Sequence, residues 1–177
     1  SLERAKADDD NYDDIKGKNE NYIPKISGNM EAAGAITSIN HKNCVILDCS
    51  AAVSDIEGID DKMLISGNDM NTFGYLVGTN YGVVNGGKAG DYIGFASKKA
   101  KMTIGGAVGT NYEVVKNVTV TSELNDEGES ECIGGIAGLN LKDIKNCRFG
   151  GEIKKNKRVS REIAIGGIAG RNGDGTL

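Results

Sequence analysis

The chain has no tryptophan, one histidine, one proline and three phenylalanines in 177 residues. A single histidine removes a histidine-built metal centre, because such centres need three or four placed ligands. So few aromatic rings leave little material for a surface that stacks single-stranded bases. The formal net charge is −4, from 25 acidic and 21 basic side chains, which supplies no bulk attraction to nucleic acid. No nucleic-acid partner is expected. No apolar run approaches the roughly eighteen residues that cross a bilayer, so this sequence is expected to hold no transmembrane segment. Its opening, SLERAKADDDNYDD, lacks the apolar core of a signal peptide. Four cysteines, Cys44, Cys49, Cys132 and Cys147, allow three complete pairings and single out none.

Glycine is what the chain has in excess: 26 residues of 177, about twice the usual share of roughly 7%. Much of it falls in a repeat. The segments GAITSIN (34–40), GYLVGTN (74–80), GGAVGTN (105–111), GGIAGLN (134–140) and GGIAGRN (166–172) start 40, 31, 29 and 32 residues apart. Glycine at Gly74, Gly105, Gly106, Gly109, Gly134, Gly135, Gly138, Gly166, Gly167 and Gly170 weakens any helical reading, and no sustained 3.6-residue apolar stripe opposes that. Runs such as VKNVTV and IKNCRF alternate instead, as strands with one buried face do.

A unit of about thirty residues has room for about three short strands and is too small to bury its own apolar face; stacked units share one. The expected fold is all-β, a parallel β-helix or β-solenoid with about 30 residues per rung, four full repeats and a truncated fifth over residues 30–177. Residues 1–29, with Asp8, Asp9, Asp10, Asp13 and Asp14 crowded together, are expected to form an acidic linker or cap. In this arrangement the glycines let the chain turn sharply and let neighbouring units approach. The closing asparagines, Asn40, Asn80, Asn111, Asn140 and Asn172, suit a left-handed turn and a side-chain ladder along one edge. Tyr81 and Tyr112 each follow such an asparagine and should stack, as edge packing or as a small glycan platform.

The GG[IA][AV]GxN segment followed by a short apolar strand, clearest in GGIAGLNLKDIKNCRFGGEI, resembles the GLUG-type glycine-rich repeat. Such repeats occur in large bacterial secreted and surface proteins, including the N-terminal β-helical regions of immunoglobulin A1 protease-like metallopeptidases and some adhesins. The likeness runs from Gly34 to Leu177 and is weakest in the first unit, where Ser38 stands in place of the third glycine. It implies a parallel β-helix at a bacterial cell surface or outside the cell, within a multidomain parent. Its partners would then be other domains of the same polypeptide, with a host glycan or matrix protein as further candidates. The chain has no H-E-x-x-H run to carry the peptidase chemistry.

Charge alternates between units. Asp55, Glu57, Asp60 and Asp61 are followed by Lys98, Lys99 and Lys101; Glu123, Asp126, Glu127, Glu129 and Glu131 by Lys154, Lys155, Lys157, Arg158 and Arg161. Stacked loops would set each cluster against its opposite, which favours one register. The run KKNKRVSR, with five positive charges in eight residues, has a second reading as a site for sulfated glycan or another polyanion.

Catalytic constellations are not evident. His41, Cys44 and Cys49 are one ligand short of a structural zinc site, and a thiolate nucleophile needs an oriented base; ordinary packing or a disulfide accounts for these cysteines. Cys132 and Cys147 read as core residues. Asp91, Glu113 and Asp143 are acids without a context that pairs them across a groove. NDEGESE lacks the spacing of a calcium loop, and a GGIAG that recurs every thirty residues is no dinucleotide fingerprint. The chain is read as a non-enzymatic module that needs no cofactor. Its expected role is that of an extracellular spacer contributing to adhesion. The alternative is a substrate-recognition or carbohydrate-active domain of a secreted enzyme.

Overall fold

A computed structural model describes residues 25–27, 31–51, 62–66, 71–90, 92–95, 102–155 and 163–173. The expected N-terminal cap, apart from 25–27, lies outside these residues. So do Asp55, Glu57, Asp60, Asp61, Asp91, Lys98, Lys99, Lys101, Lys157, Arg158 and Arg161.

Among the described residues the chain forms short strands and no helix. After β1 (Lys25–Ser27) come β2 (Ala32–Ala33), β3 (Thr37–Asn40), β4 (Val45–Leu47), β5 (Ser50–Ala51) and β6 (Lys62–Ser66). The second unit holds β7 (Thr72–Gly74), β8 (Val77–Asn80), β9 (Val83–Asn85), β10 (Lys88–Ala89) and β11 (Tyr92–Phe95). The third holds β12 (Met102–Gly105), β13 (Val108–Asn111), β14 (Val114–Lys116), β15 (Thr119–Val120) and β16 (Glu123–Asp126). The fourth holds β17 (Ser130–Gly134), β18 (Ala137–Asn140), β19 (Asp143–Lys145), β20 (Arg148–Phe149) and β21 (Glu152–Lys155), and β22 (Ala164–Gly166) and β23 (Ala169–Asn172) follow.

Each strand pairs in parallel with its counterpart five strands away, which makes five sheets. The repeat segments therefore lie side by side, with Asn40, Asn80, Asn111, Asn140 and Asn172 in register. Pairing of β1 with β6 carries one sheet to residues N-terminal of the boundary expected at residue 30.

A full unit thus has five strands, where about three were expected. The difference arises inside runs such as VKNVTV and IKNCRF, which do not continue as single strands. Each bends at an asparagine with positive φ, Asn117 at 58° and Asn146 at 51°. Asp48 (φ 48°) and Gly86 (φ 79°) occupy the same place in the earlier units. A left-handed residue breaks the pleat, and Asn, Asp and Gly are the types that adopt it at least cost. The ladder asparagines, expected to be left-handed, are not: they close β3, β8, β13, β18 and β23. Their role is carried by the side chain rather than by φ.

The core is a set of columns running through the units. In β9 and β14 the central valines, Val84 and Val115, are fully buried and their neighbours half-buried, the alternation of strands with one inner face. Phe73, Ile104 and Ile133 are stacked in register with no exposed surface. Ile165 continues the column at 51% exposure, β22 being the last strand of its sheet among the described residues. At about 25 cal/mol per Å² of apolar surface buried, stacking of units is what stabilises each of them.

Glycine sets how closely the sheets approach. A Cβ at Gly105 or Gly134 would overlap the carbonyl oxygen of Val108 or Ala137, three residues on, so the bend into the next strand excludes any side chain there. At Gly138 a Cβ would lie 2.7 Å from the backbone nitrogen of Ile104, on a strand of the facing sheet. The two sheets built from β7 and β8 and their counterparts therefore meet backbone to backbone.

Candidate functional site

The repeat asparagines form a continuous amide ladder. Asn40 Nδ2 donates to Asn80 Oδ1, Asn80 to Asn111, Asn111 to Asn140 and Asn140 to Asn172, each at 2.8 Å. Asn80, Asn111 and Asn140 have no exposed surface, so the ladder is internal and not on an edge. Asn111 Nδ2 also donates to the Glu113 and Asp143 carbonyls, and Asn111 Oδ1 accepts from Glu113 N–H. These amides are committed to the protein and present nothing to a ligand. A second, exposed ladder joins Asn146 to Asn117 and Asn117 to Asn85, at 2.7 and 2.8 Å.

Beside the internal ladder, Tyr81 and Tyr112 stack with ring centroids 4.7 Å apart and planes 13° from parallel. The register of Asn80 and Asn111 places them, since Tyr81 N–H donates to the Asn40 carbonyl and Tyr112 N–H to that of Asn80. Each tyrosine is 41% exposed. The pair forms one wall of a groove of about 300 Å³. Thr72, Thr79, Thr103 and Thr110 line its floor, with Glu31 and Asn71 at the rim. The hydroxyls of Thr103 and Thr72 lie 2.9 Å apart, and that of Thr110 is 3.1 Å from each.

Sequence reasoning singled out the tyrosines and passed over these threonines. A signal for them exists: T-x-G-x-x-V-G-T-N-Y occurs twice, over 72–81 and 103–112. No protein-family model, curated protein or solved structure matches the chain.

The described part of the basic run is engaged with acid. Strand β21 pairs with β16, setting Lys154 beside Asn125 and Lys155 beside Asp126. Lys154 Nζ lies 2.9 Å from Glu123 and 3.2 Å from Glu152, and hydrogen bonds to these carboxylates raise its pKa. Lys155 Nζ lies 2.8 Å from Asp126 Oδ2 and donates to the Gly128 carbonyl. Asp126 is fully buried and also accepts from Gly128 N–H at 2.7 Å. Arg171 reaches Glu131 at 2.9 Å. The pairs of Lys154 and Lys155 tie the fourth unit to the third, and that of Arg171 ties the strands after it to the fourth; Lys154 and Lys155 are thereby poorly placed for a polyanion.

All four cysteines are free thiols. Cys44 is exposed, which corrects the expectation that it packs or is bridged: it precedes β4 at a position that faces solvent. His41 is exposed too. Cys132 is buried, and desolvation raises its pKa to about 11, with Arg171 opposing and Glu131 adding to the shift. Cys147 packs against the core, and burial raises its pKa as well. Glu113 and Asp143 do not face each other across the groove; Asp143 pairs with Lys145 at 2.5 Å. Among the described residues no cluster of His, Cys, Asp and Glu is arranged to hold a metal ion.

Proposed function

We propose that the chain winds as a parallel β-solenoid, one coil per unit of about thirty residues, and serves as an extracellular spacer module of a larger bacterial surface protein. The observation that carries this reading is the five-strand recurrence, in which each unit adds one strand to every sheet. A coil of this kind lengthens by one strand spacing per unit, about 4.8 Å. Its continuous main-chain ladders and the buried amide ladder resist bending and shear between units. The surface location rests on the resemblance to GLUG-type repeats, and a contribution to adhesion follows from projecting other domains of the parent outward.

A recognition role is favoured by one feature, the threonine and tyrosine groove. A glycosidase role is not, because hydrolysis of a glycosidic bond calls for two carboxylates and Glu31 is the only acid lining the groove among the described residues.

Small-angle X-ray scattering tests the spacer reading. Duplicating residues 105–133 within the 177-residue chain should lengthen the particle by about one strand spacing, roughly 4.8 Å, at unchanged cross-sectional radius. A thicker particle of the same length would reject the solenoid. Antibody against the chain should label unpermeabilised cells that carry the parent protein; labelling only after permeabilisation would reject the location.

A further inference from the structure

The groove differs in kind from the ladders. A structural ladder recurs in every unit, whereas the groove residues change together and only in the second and third. In register, the first threonine position reads Ala32, Thr72, Thr103, Cys132 and Ala164. The second reads Ile39, Thr79, Thr110, Leu139 and Arg171. The residue after the ladder asparagine reads His41, Tyr81, Tyr112, Leu141 and Gly173. Ala32 and Ile39 close the groove at one end and Leu139 at the other. Between them is a hydroxyl floor two strands deep, about 10 Å at the usual strand spacing, beside a wall of two rings.

We infer that this groove binds a short neutral saccharide of two or three sugar rings. Proton counting on the floor selects that class. The Thr72, Thr103 and Thr110 hydroxyls form a triangle with edges of 2.9, 3.1 and 3.1 Å, and each hydroxyl has one proton to give. Three donors close three edges, so every proton is spent inside the triangle while each oxygen keeps acceptor capacity. Donation from Thr72 to the Gly78 carbonyl at 3.2 Å is an alternative, and it too spends the proton within the protein. These three hydroxyls therefore accept hydrogen bonds and have none to give, while the Thr79 hydroxyl beside them and the Asn71 amide at the rim supply the donors that a sugar's own oxygens accept from.

An anionic ligand brings only acceptors, and the Glu31 carboxylate at the rim repels it. A purely apolar ligand would strand the hydroxyl oxygens without water, at a cost. A sugar brings hydroxyl donors for the floor and apolar C–H groups for the half-exposed rings. The volume of about 300 Å³ lies at the small end of ligand sites, which suits two or three rings rather than a folded partner. The hydroxyl triangle is polarised as a unit, so each oxygen accepts more strongly than an isolated hydroxyl.

Nuclear magnetic resonance titration of the intact chain tests this, with cellotriose, N,N′,N″-triacetylchitotriose, maltotriose and laminaritriose as neutral probes and a heparin oligosaccharide as the anionic control. At least one neutral probe should give saturable shifts at Thr72, Thr79, Thr103, Thr110, Tyr81 and Tyr112, and the heparin fragment none. Tyr112→Ala, at a half-exposed position, should weaken that binding about tenfold or more. Thr103→Val, which keeps the shape and removes a hydroxyl, should weaken it several-fold with unchanged circular dichroism. If no neutral probe shifts these residues up to its solubility, if the shifts map elsewhere, or if both variants bind as the parent chain does, the inference is wrong. None of these outcomes alters the particle length measured by scattering, so the spacer reading stands or falls separately.

Discussion

Asn80 donates its side-chain amide to Oδ1 of Asn111 at 2.8 Å, and neither side chain has any exposed surface. Amide and carbonyl alternate along the column, so Asn80, Asn111 and Asn140 are each donor to one neighbour and acceptor to the other. A ladder of this kind carries a penalty for interruption, because removing one amide strands a buried donor on one side and a buried acceptor on the other.

Asn111→Leu should therefore lower stability by about 2–6 kcal/mol, the sum of two such orphaned groups. Asn172→Leu, at an exposed position at the end of the ladder, should cost less than half as much. Urea denaturation followed by circular dichroism measures both; equal losses would show that the ladder does not couple the units.

Glycine supplies a sharper contrast, because the same repeat position has different surroundings in adjacent units. A Cβ at Gly135 would overlap the Gly167 carbonyl oxygen and the Phe149 ring, whereas at Gly167 it meets nothing within 4 Å. Gly135→Ala should cost about 3 kcal/mol or more through overpacking, and Gly167→Ala should stay within about 0.5 kcal/mol of the parent. Thermal melts of the two variants decide this.

The Asp126–Lys155 pair is the buried member of the charge pattern, with side-chain exposures of 1% and 12%. Lys155→Met leaves the carboxylate buried and uncompensated, and should cost about 3–5 kcal/mol. Adding Asp126→Asn should restore part of that loss. Lys154→Met removes a far more exposed pairing, so its urea midpoint should barely move, and less still in high salt.

Cys132 links stability to alkaline pH. Its folded pKa of about 11 lies above the ordinary 9.0, so the folded thiol keeps its proton where the unfolded one has lost it. The contribution is complete below pH 9 and is lost as pH rises toward 11, with an amplitude of roughly 2–3 kcal/mol. Unfolding free energy from pH 8 to 11 should fall less steeply in Cys132→Ala than in the parent chain. A thiol reagent at pH 8 should modify exposed Cys44 at once and Cys132 only on unfolding.

Much of the layout is legible in the residues themselves. The spacing of the GG-to-N segments announces stacked units, and the opposed charges of 123–131 and 154–155 announce their register, because both depend on which residues recur at a fixed interval. The left-handed corners at Asn117 and Asn146 are harder to read. An apolar run such as VKNVTV has the same alternation whether it is one strand or two, and only φ at its centre distinguishes them. The threonines of the groove were masked for a similar reason: Thr suits any strand, and its place beside the tyrosines depends on how two sheets meet.

The sequence alone thus determined the repeat, the β character and the order in which units pair, since these follow from periodicity and from what a thirty-residue unit cannot bury. The tertiary structure decided which faces those residues occupy. It buried the asparagine amides inside the stack, spent Lys154 and Lys155 on carboxylates of the preceding unit, and gathered four threonines and two tyrosines from two units into one groove. Such gathering depends on contacts about thirty residues apart in the chain, and only the closed packing of neighbouring strands brings them within hydrogen-bonding distance.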